Sequence, residues 1–347
     1  MKKVLFTGLM FIFAFVLIAC GTKEETVDYS GVYTGYSWKD EVKGVAFEDA
    51  TEYIETTLHL SKEGIIEDAS IDFKMKKGDV WISRLDTTAE VSVDFDVTPT
   101  AATPGTAYVA GTSMFSVTTN ALMSFYAVAV DTDGTVAVLL VDPITRYQFE
   151  MKIPSDFDFT TLVGDFTIGS GLIVPTVRTA GGALINPTSW DNLATKTFFN
   201  ISGYSHVVKD TGVFEGVSNS STIQFMLEKL GVTFVDGKAT EMAVDYGFFG
   251  LGGWAGNYAA IRQFLIGKSA LEVLSLVDWT FEDYVPGIND QNQFGVDVPA
   301  GVTRTAQDSY DTIAGATVRM SRESESYQKA LVAAGILTLD QVIFGRF

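Results

Sequence analysis

The chain has 347 residues, 47% hydrophobic and 12% aromatic, which is enough to bury more than one core, and 43 acidic against 24 basic residues give a net charge of −19. A surface this acidic repels nucleic acid and anionic lipid headgroups, so neither is expected as a partner. Cys20 is the only cysteine, which excludes a disulfide within the chain, a thiolate zinc site, an iron–sulfur cluster and a CxxCH haem attachment, and the two histidines, His59 and His206, lie too far apart to suggest a metal site or a triad.

Lys2 and Lys3 precede an unbroken apolar run, Val4 to Ala19, that ends at Cys20-Gly21. A basic start, a short greasy core and a small residue before the cleavage point are the layout of a secretory signal. The 16 apolar residues fall slightly short of a membrane span, which takes roughly 20. Leu17-Ile18-Ala19-Cys20 resembles the bacterial lipobox. That resemblance implies a lipoprotein signal over residues 1–20, a diacylated Cys20 and a body anchored in the lipid bilayer at the extracytoplasmic face of the cell membrane. Residues 21–28 (GTKEETVD) are short and charged, as a tether would be.

From Tyr29 onward the texture is β, and one unit recurs: an apolar strand, an acidic-Gly turn, and a second apolar strand reaching Asp. The turns fall at Glu63-Gly64, Asp133-Gly134 and Asp236-Gly237, where Gly supplies the positive φ of a hairpin. Eight residues after each Gly stand Asp72, Asp142 and Asp245. The first and third units are also preceded by similar pentapeptides, Gly31-Val-Tyr-Thr-Gly35 and Gly212-Val-Phe-Glu-Gly216, so a duplication linking these two is favoured. Thr98–Gly111 reads as a loop, and Gly164–Pro187 as a glycine-rich stretch before a second boundary near 195–210. Helical spacing appears late, over Asn257–Gly267, continuing through Ala270–Val277, and again over Ser321–Ala334, where Gly335 is the stop. The expected fold class is α+β: repeated antiparallel β-hairpin modules, with helices concentrated toward the C-terminus. The expected division is a β-rich region over 29–200 with two hairpin units, then a domain over 201–347.

The stretch that carries chemistry is Asp311-x-x-Ala314-Gly315-Ala316-Thr317, leading into the last helix. It resembles the D-x-x-[S/T/A]-G-A-[T/S] flavinylation motif of the FMN-binding domain family, which includes the periplasmic flavin subunits of the sodium-pumping quinone reductase and of the Rnf complex, and flavin-carrying lipoproteins. The resemblance spans roughly 201–347. It implies an FMN joined to Thr317 as a phosphoester by a separate flavin transferase, and electron exchange with a membrane redox complex or quinone oxidoreductase. A phosphoester needs a hydroxyl, which Thr317 supplies, and the small Gly315 and Ala316 leave the backbone approachable. A helix N-terminus favours a phosphate's charge, and Arg319 and Arg322 lie near enough to help neutralise it. The pattern departs from many members at Ala314, where they carry Ser or Thr, and at Val318 and Arg319, where they carry further hydroxyls.

Gly250-Leu-Gly252-Gly-Trp-Ala255, with Glu272 downstream, fits a dinucleotide fingerprint, but no βαβ texture surrounds it and it reads as a glycine-rich loop after a strand. With FMN bound, Trp254, Tyr258, Trp279 and Tyr284 are candidate ring neighbours, although each taken singly reads as a core aromatic. Asp245 is a candidate structural or ring-facing acid. The function expected is a surface-anchored electron-transfer flavoprotein relaying electrons between a membrane oxidoreductase and an extracytoplasmic acceptor. The alternative is a non-catalytic ligand-binding or adhesive surface lipoprotein without flavin.

Overall fold

In the computed structural model, which describes residues 27–103, 111–142, 147–178, 190–200, 212–276 and 320–344, the fold is α+β and its sheets are antiparallel. Strands β1 (Gly31–Trp38), β2 (Glu52–Leu60), β3 (Ile66–Lys77) and β4 (Val80–Ser83) form one sheet in that order. Along β2 the buried residues are Ile54, Thr56, Leu58 and Leu60, and those between them are less covered. A period of two sends a whole apolar set to one face, and that face is the inner one here.

A hairpin, β5 (Ala89–Val93) with β6 (Phe115–Thr119), leads into the second large sheet. That sheet is built from β7 (Phe125–Val130), β8 (Val136–Val141), β9 (Tyr147–Ile153) and β10 (Val174–Arg178). Its far edge is closed by β13 (Met242–Phe248), which pairs with β7. The run VAVLLV in β8 is buried at every position, as a central strand covered on both faces should be. The β5–β6 hairpin packs on one face. The other face carries Phe198, Phe214 and the short helix α1 (Ile223–Lys229). A two-residue ladder, β11 (Phe234–Val235) with β12 (Lys238–Ala239), follows α1.

Two longer helices, α2 (Gly253–Leu265) and α3 (Met320–Ala333), cover the inner face of the first sheet. Trp254, Ile261 and Leu265 of α2 and Tyr327 and Leu331 of α3 share one core with Ile54, Leu58 and Phe73. Each such side chain contributes about 1.5–3 kcal/mol when fully buried. The helix–strand approach is closest at Gly35. A Cβ there would lie 2.2 Å from both the Ala330 nitrogen and the Ser326 carbonyl oxygen. Only glycine fits.

Several sequence expectations meet a different backbone. All three acidic-Gly turns are hairpin turns, but the first two resemble each other and the third stands apart. In the first, Ser61 N–H donates to Ile65 O at 2.8 Å and Gly64 N–H to Ser61 O at 3.0 Å. In the second, the equivalent bonds run from Asp131 to Thr135 at 3.0 Å and from Gly134 to Asp131 at 3.1 Å. The third is a two-residue turn with Asp236 at φ 49° and Gly237 at φ 78°, the primed geometry. The two pentapeptides also diverge: GVYTG lies in β1, whereas Gly212–Phe214 is a 3-10 turn whose first residue sits at φ 59°. The three offset aspartates are not equivalent either. Asp72 accepts from Ser83 at 2.6 Å, Asp142 is fully buried just beyond β8, and Asp245 is exposed at a register shift in β13. The favoured pairing of the first and third units is therefore not a shared structure.

A division at 200/201 also runs through the packing, because β13 completes a sheet begun at Phe125 and α3 lies on β1 and β2. Residues 270–276 form a turn and irregular chain instead of continuing α2, and β10 lies inside the glycine-rich stretch 164–187. Gly335, at φ 72°, ends α3 as expected, with the Ile336 N–H bonded back to Leu331 O at 2.9 Å.

Candidate functional site

The start of α3 has the sequence MSRESESYQ, which by composition belongs on a solvated face, yet every residue from Arg322 to Gln328 is buried. Buried polar groups need partners, and these have them. The Ser37 hydroxyl donates to Arg322 O at 2.8 Å, and Ser326 Oγ lies 2.6 Å from Thr56 Oγ1, fixing the helix on β1 and β2. On its other side Ser324 Oγ accepts from Leu276 N at 3.0 Å, Tyr327 Oη donates to Val273 O at 2.6 Å, and Gln328 Nε2 donates to Leu274 O at 3.2 Å. Leu276, the last described residue before the stretch 277–319, is thus bonded directly to Ser324 in the second turn of α3.

At the same place four ionisable groups converge from α2, α3 and the end of β4. Arg84, just past β4, and Arg322, in the first turn of α3, both stack on Phe73 of β3, with guanidinium carbons 4.0 and 4.9 Å from its ring centre. Both also face Trp254 of α2, at 5.0 and 5.8 Å. Phe73 and Trp254 meet edge to face at 5.3 Å, giving the cations an apolar wall. Glu323 is fully buried and accepts from Tyr258 Oη at 2.8 Å. Burial, and after it the Glu323 carboxylate, push the Tyr258 hydroxyl well above its usual pKa, so it stays a proton donor. Arg84 is pulled below the ordinary guanidinium value, first by burial and then by the charge of Arg322. It still carries its charge, since an arginine is protonated throughout the working range.

Among the described residues a carboxylate stands beside each arginine. Glu52 lies 3.8 Å from Arg84 and is also paired with Lys39 at 2.8 Å, and Glu323 lies 3.9 Å from Arg322. The Nε of Arg84 is buried with no hydrogen-bond acceptor among the described residues.

Asp311, Ala314, Gly315, Ala316, Thr317 and Arg319 lie outside the described residues, as do Cys20, His206, Trp279 and Tyr284. Of the aromatics considered as ring neighbours, Trp254 and Tyr258 are core residues of α2, nearly without exposure. His59 is an exposed residue of β2. The glycine-rich stretch Gly250–Ala255 does follow a strand and open a helix, but its strand is the antiparallel edge of a sheet, without the parallel crossover of a dinucleotide fold. Sequence reasoning reached Arg322 but missed Arg84, Phe73 and Glu323. No local pattern links them, since the sheet register and α3 bring them together. Among the described residues no group of three His, Cys, Asp or Glu side chains is arranged to hold a metal, and no helix is long and apolar enough to cross a membrane. Compared with protein-family models, curated proteins and solved structures, the chain finds no match.

Proposed function

We propose that this chain is an extracytoplasmic electron-transfer flavoprotein, held at the membrane by a lipid on Cys20 and carrying FMN through a phosphoester on Thr317. The observation that carries the reading is the Asp311-x-x-Ala-Gly-Ala-Thr317 sequence standing immediately before a helix whose first two turns are polar and buried. Burying so many polar groups is costly unless they are hydrogen-bonded, and the bonds they make fix the start of α3, which Thr317 precedes in the sequence, on β1 and β2. The described neighbours suit a phosphate: Arg322 and Arg84 are cationic, and the N-terminal end of α3 carries the positive end of its dipole.

Bound flavin supplies electron acceptance and release, one or two at a time. The chain's own part is to offer the Thr317 hydroxyl, keep the backbone open at Gly315 and Ala316, and hold positive charge nearby with Arg319 and Arg322. Asp311 assists the transferase, and covalent attachment keeps the flavin from diffusing away outside the membrane. Partners in this reading are a flavin transferase, a membrane redox complex or quinone oxidoreductase, and an extracytoplasmic acceptor.

Co-production with a flavin transferase and fluorescence of the denatured band test the reading. Wild type and Thr317→Ser should fluoresce, the latter at least in part, and Thr317→Val should be dark. A fluorescent Thr317→Val band would displace the site. The adhesive alternative draws on one observation: Tyr36, Phe47, Tyr53 and Trp81 cluster on the outer face of the first sheet, with Phe47 38% and Trp81 37% exposed. A colourless wild type after modification would favour it.

A further inference from the structure

We propose that the outer face of the first sheet binds a neutral glycan, with sugar rings laid on Phe47 and Trp81 and their hydroxyls turned to a polar row beside them. The site does not depend on Thr317. Helices α2 and α3 cover the inner face of that sheet, and the described segment lying on the outer face is the loop that carries Phe47.

The period of two that buries Ile54, Leu58 and Phe73 sends Tyr36, Tyr53, Lys74 and Trp81 outward. The register sets them in rows across the strands: Trp38, Tyr53, Lys74 and Ser83 form one, and Tyr36, Glu55 and Asp72 the next. Phe47 and Trp81 stand either side of Tyr53, their ring centres 5.2 and 4.7 Å from its own. They meet Tyr53 at 67° and 73°, so neither is stacked flat on it, and they remain 38% and 37% exposed. The loop is fixed before any ligand arrives, because Trp38 Nε1 donates to Val45 O at 2.8 Å and Phe47 packs on Tyr36 at 5.1 Å.

The occupant follows from what the face offers. An aromatic ring is negative over its face, which attracts the C–H groups on the flat side of a sugar ring. Beside the rings Lys74 stands 3.8 Å from Glu55 and 3.6 Å from Asp72, all three partly exposed and within reach of a ligand's hydroxyls. The strands here carry Lys74 and Lys76 against Glu55 and Asp72, and Glu48 and Asp49, exposed next to Phe47, disfavour an anion. A second copy would bring its own net charge of −19 and be repelled. A lipid surface would have to bury the charged row without hydrogen bonds, which is costly. An uncharged polyhydroxyl ring fits both parts: its apolar side meets Phe47 and Trp81, and its hydroxyl edge meets the row.

The full chain is run on native gels cast with hydroxyethyl cellulose, galactomannan, glycol chitin or dextran, all neutral, and retardation is followed against polysaccharide concentration. Wild type should be retarded by at least one, and free oligosaccharide of the same linkage should reverse it. Phe47→Ala and Trp81→Ala should each weaken binding by about tenfold or more, as loss of an aromatic anchor does. Trp81→Tyr keeps a ring face and should fall between. His59→Ala, exposed on the same face of β2 but away from the rings, should bind as wild type does. The thermal midpoint of each variant, set beside its retardation, separates lost binding from lost folding. Retardation by none of the four polysaccharides overturns the site, and so does equal retardation of folded Phe47→Ala and Trp81→Ala. Sedimentation showing a wild-type dimer that Trp81→Ala dissolves, without glycan binding, would give the face to a second copy and overturn the glycan.

Discussion

Lys329 is shared by two carboxylates, Glu41 from the loop after β1 and Glu325 one turn earlier on α3. One ammonium cannot balance both. Burial raises the Glu325 carboxyl from 4.5 to about 7, with Lys329 pulling the other way. Between those values the folded chain holds a proton that the unfolded chain has released. The stability this group lends is therefore complete below its unfolded value and is lost as the pH rises through its folded one. From about pH 5 to about pH 8 this group should lower stability by about 1–3 kcal/mol, and Glu325→Gln should flatten that slope. Urea denaturation at each pH reads it, and an unchanged slope in the variant would assign the dependence elsewhere. Tyr258→Phe is the companion test. It removes the hydroxyl that donates to the fully buried Glu323 and should cost about 1.5–3 kcal/mol, the range for a hydrogen bond to a charged group.

Between elements, the seat of α3 on β1 is a single glycine. Gly35→Ala would force a methyl into the backbone of Ala330 and Ser326, so helix and strand must part. We expect a loss of about 1–3 kcal/mol or more by chemical denaturation, together with faster proteolysis near α3. Normal stability in that variant would mean that the contact is looser than described. This scale also shows what a sequence can and cannot disclose. The turns at Gly64, Gly134 and Gly237, the buried run of β8 and the stop at Gly335 were legible because each depends on a few neighbouring residues. The buried polar turns of α3 were not. Arg322, Glu323 and Glu325 look like a solvated face until the sheet that covers them is known. Nor does GVFEG reveal that Gly212 takes a left-handed turn, since its constraint is the Gly250 carbonyl oxygen, 2.1 Å from where a Cβ would stand.

Across the molecule, the two ends of the described chain form one unit. The first sheet is covered by α3, and β13 closes a sheet whose other strands precede residue 179. Fragments 29–200 and 201–347 should therefore each fail to fold alone, as read by circular dichroism and protease resistance, whereas co-produced they should associate. A cooperative unfolding transition in isolated 201–347 would contradict this packing. It follows that the covalent flavin should be absent from isolated 201–347 if the transferase needs the folded seat of α3, although the whole motif lies in that fragment. The proposed bond at Thr317 is tested most directly by peptide mass spectrometry of the full chain made with a competent flavin transferase. The peptide containing Thr317 should gain the mass of FMN less one water, with fragment ions placing the addition on that residue. An unmodified Thr317 peptide, or the same addition on another residue, would contradict it.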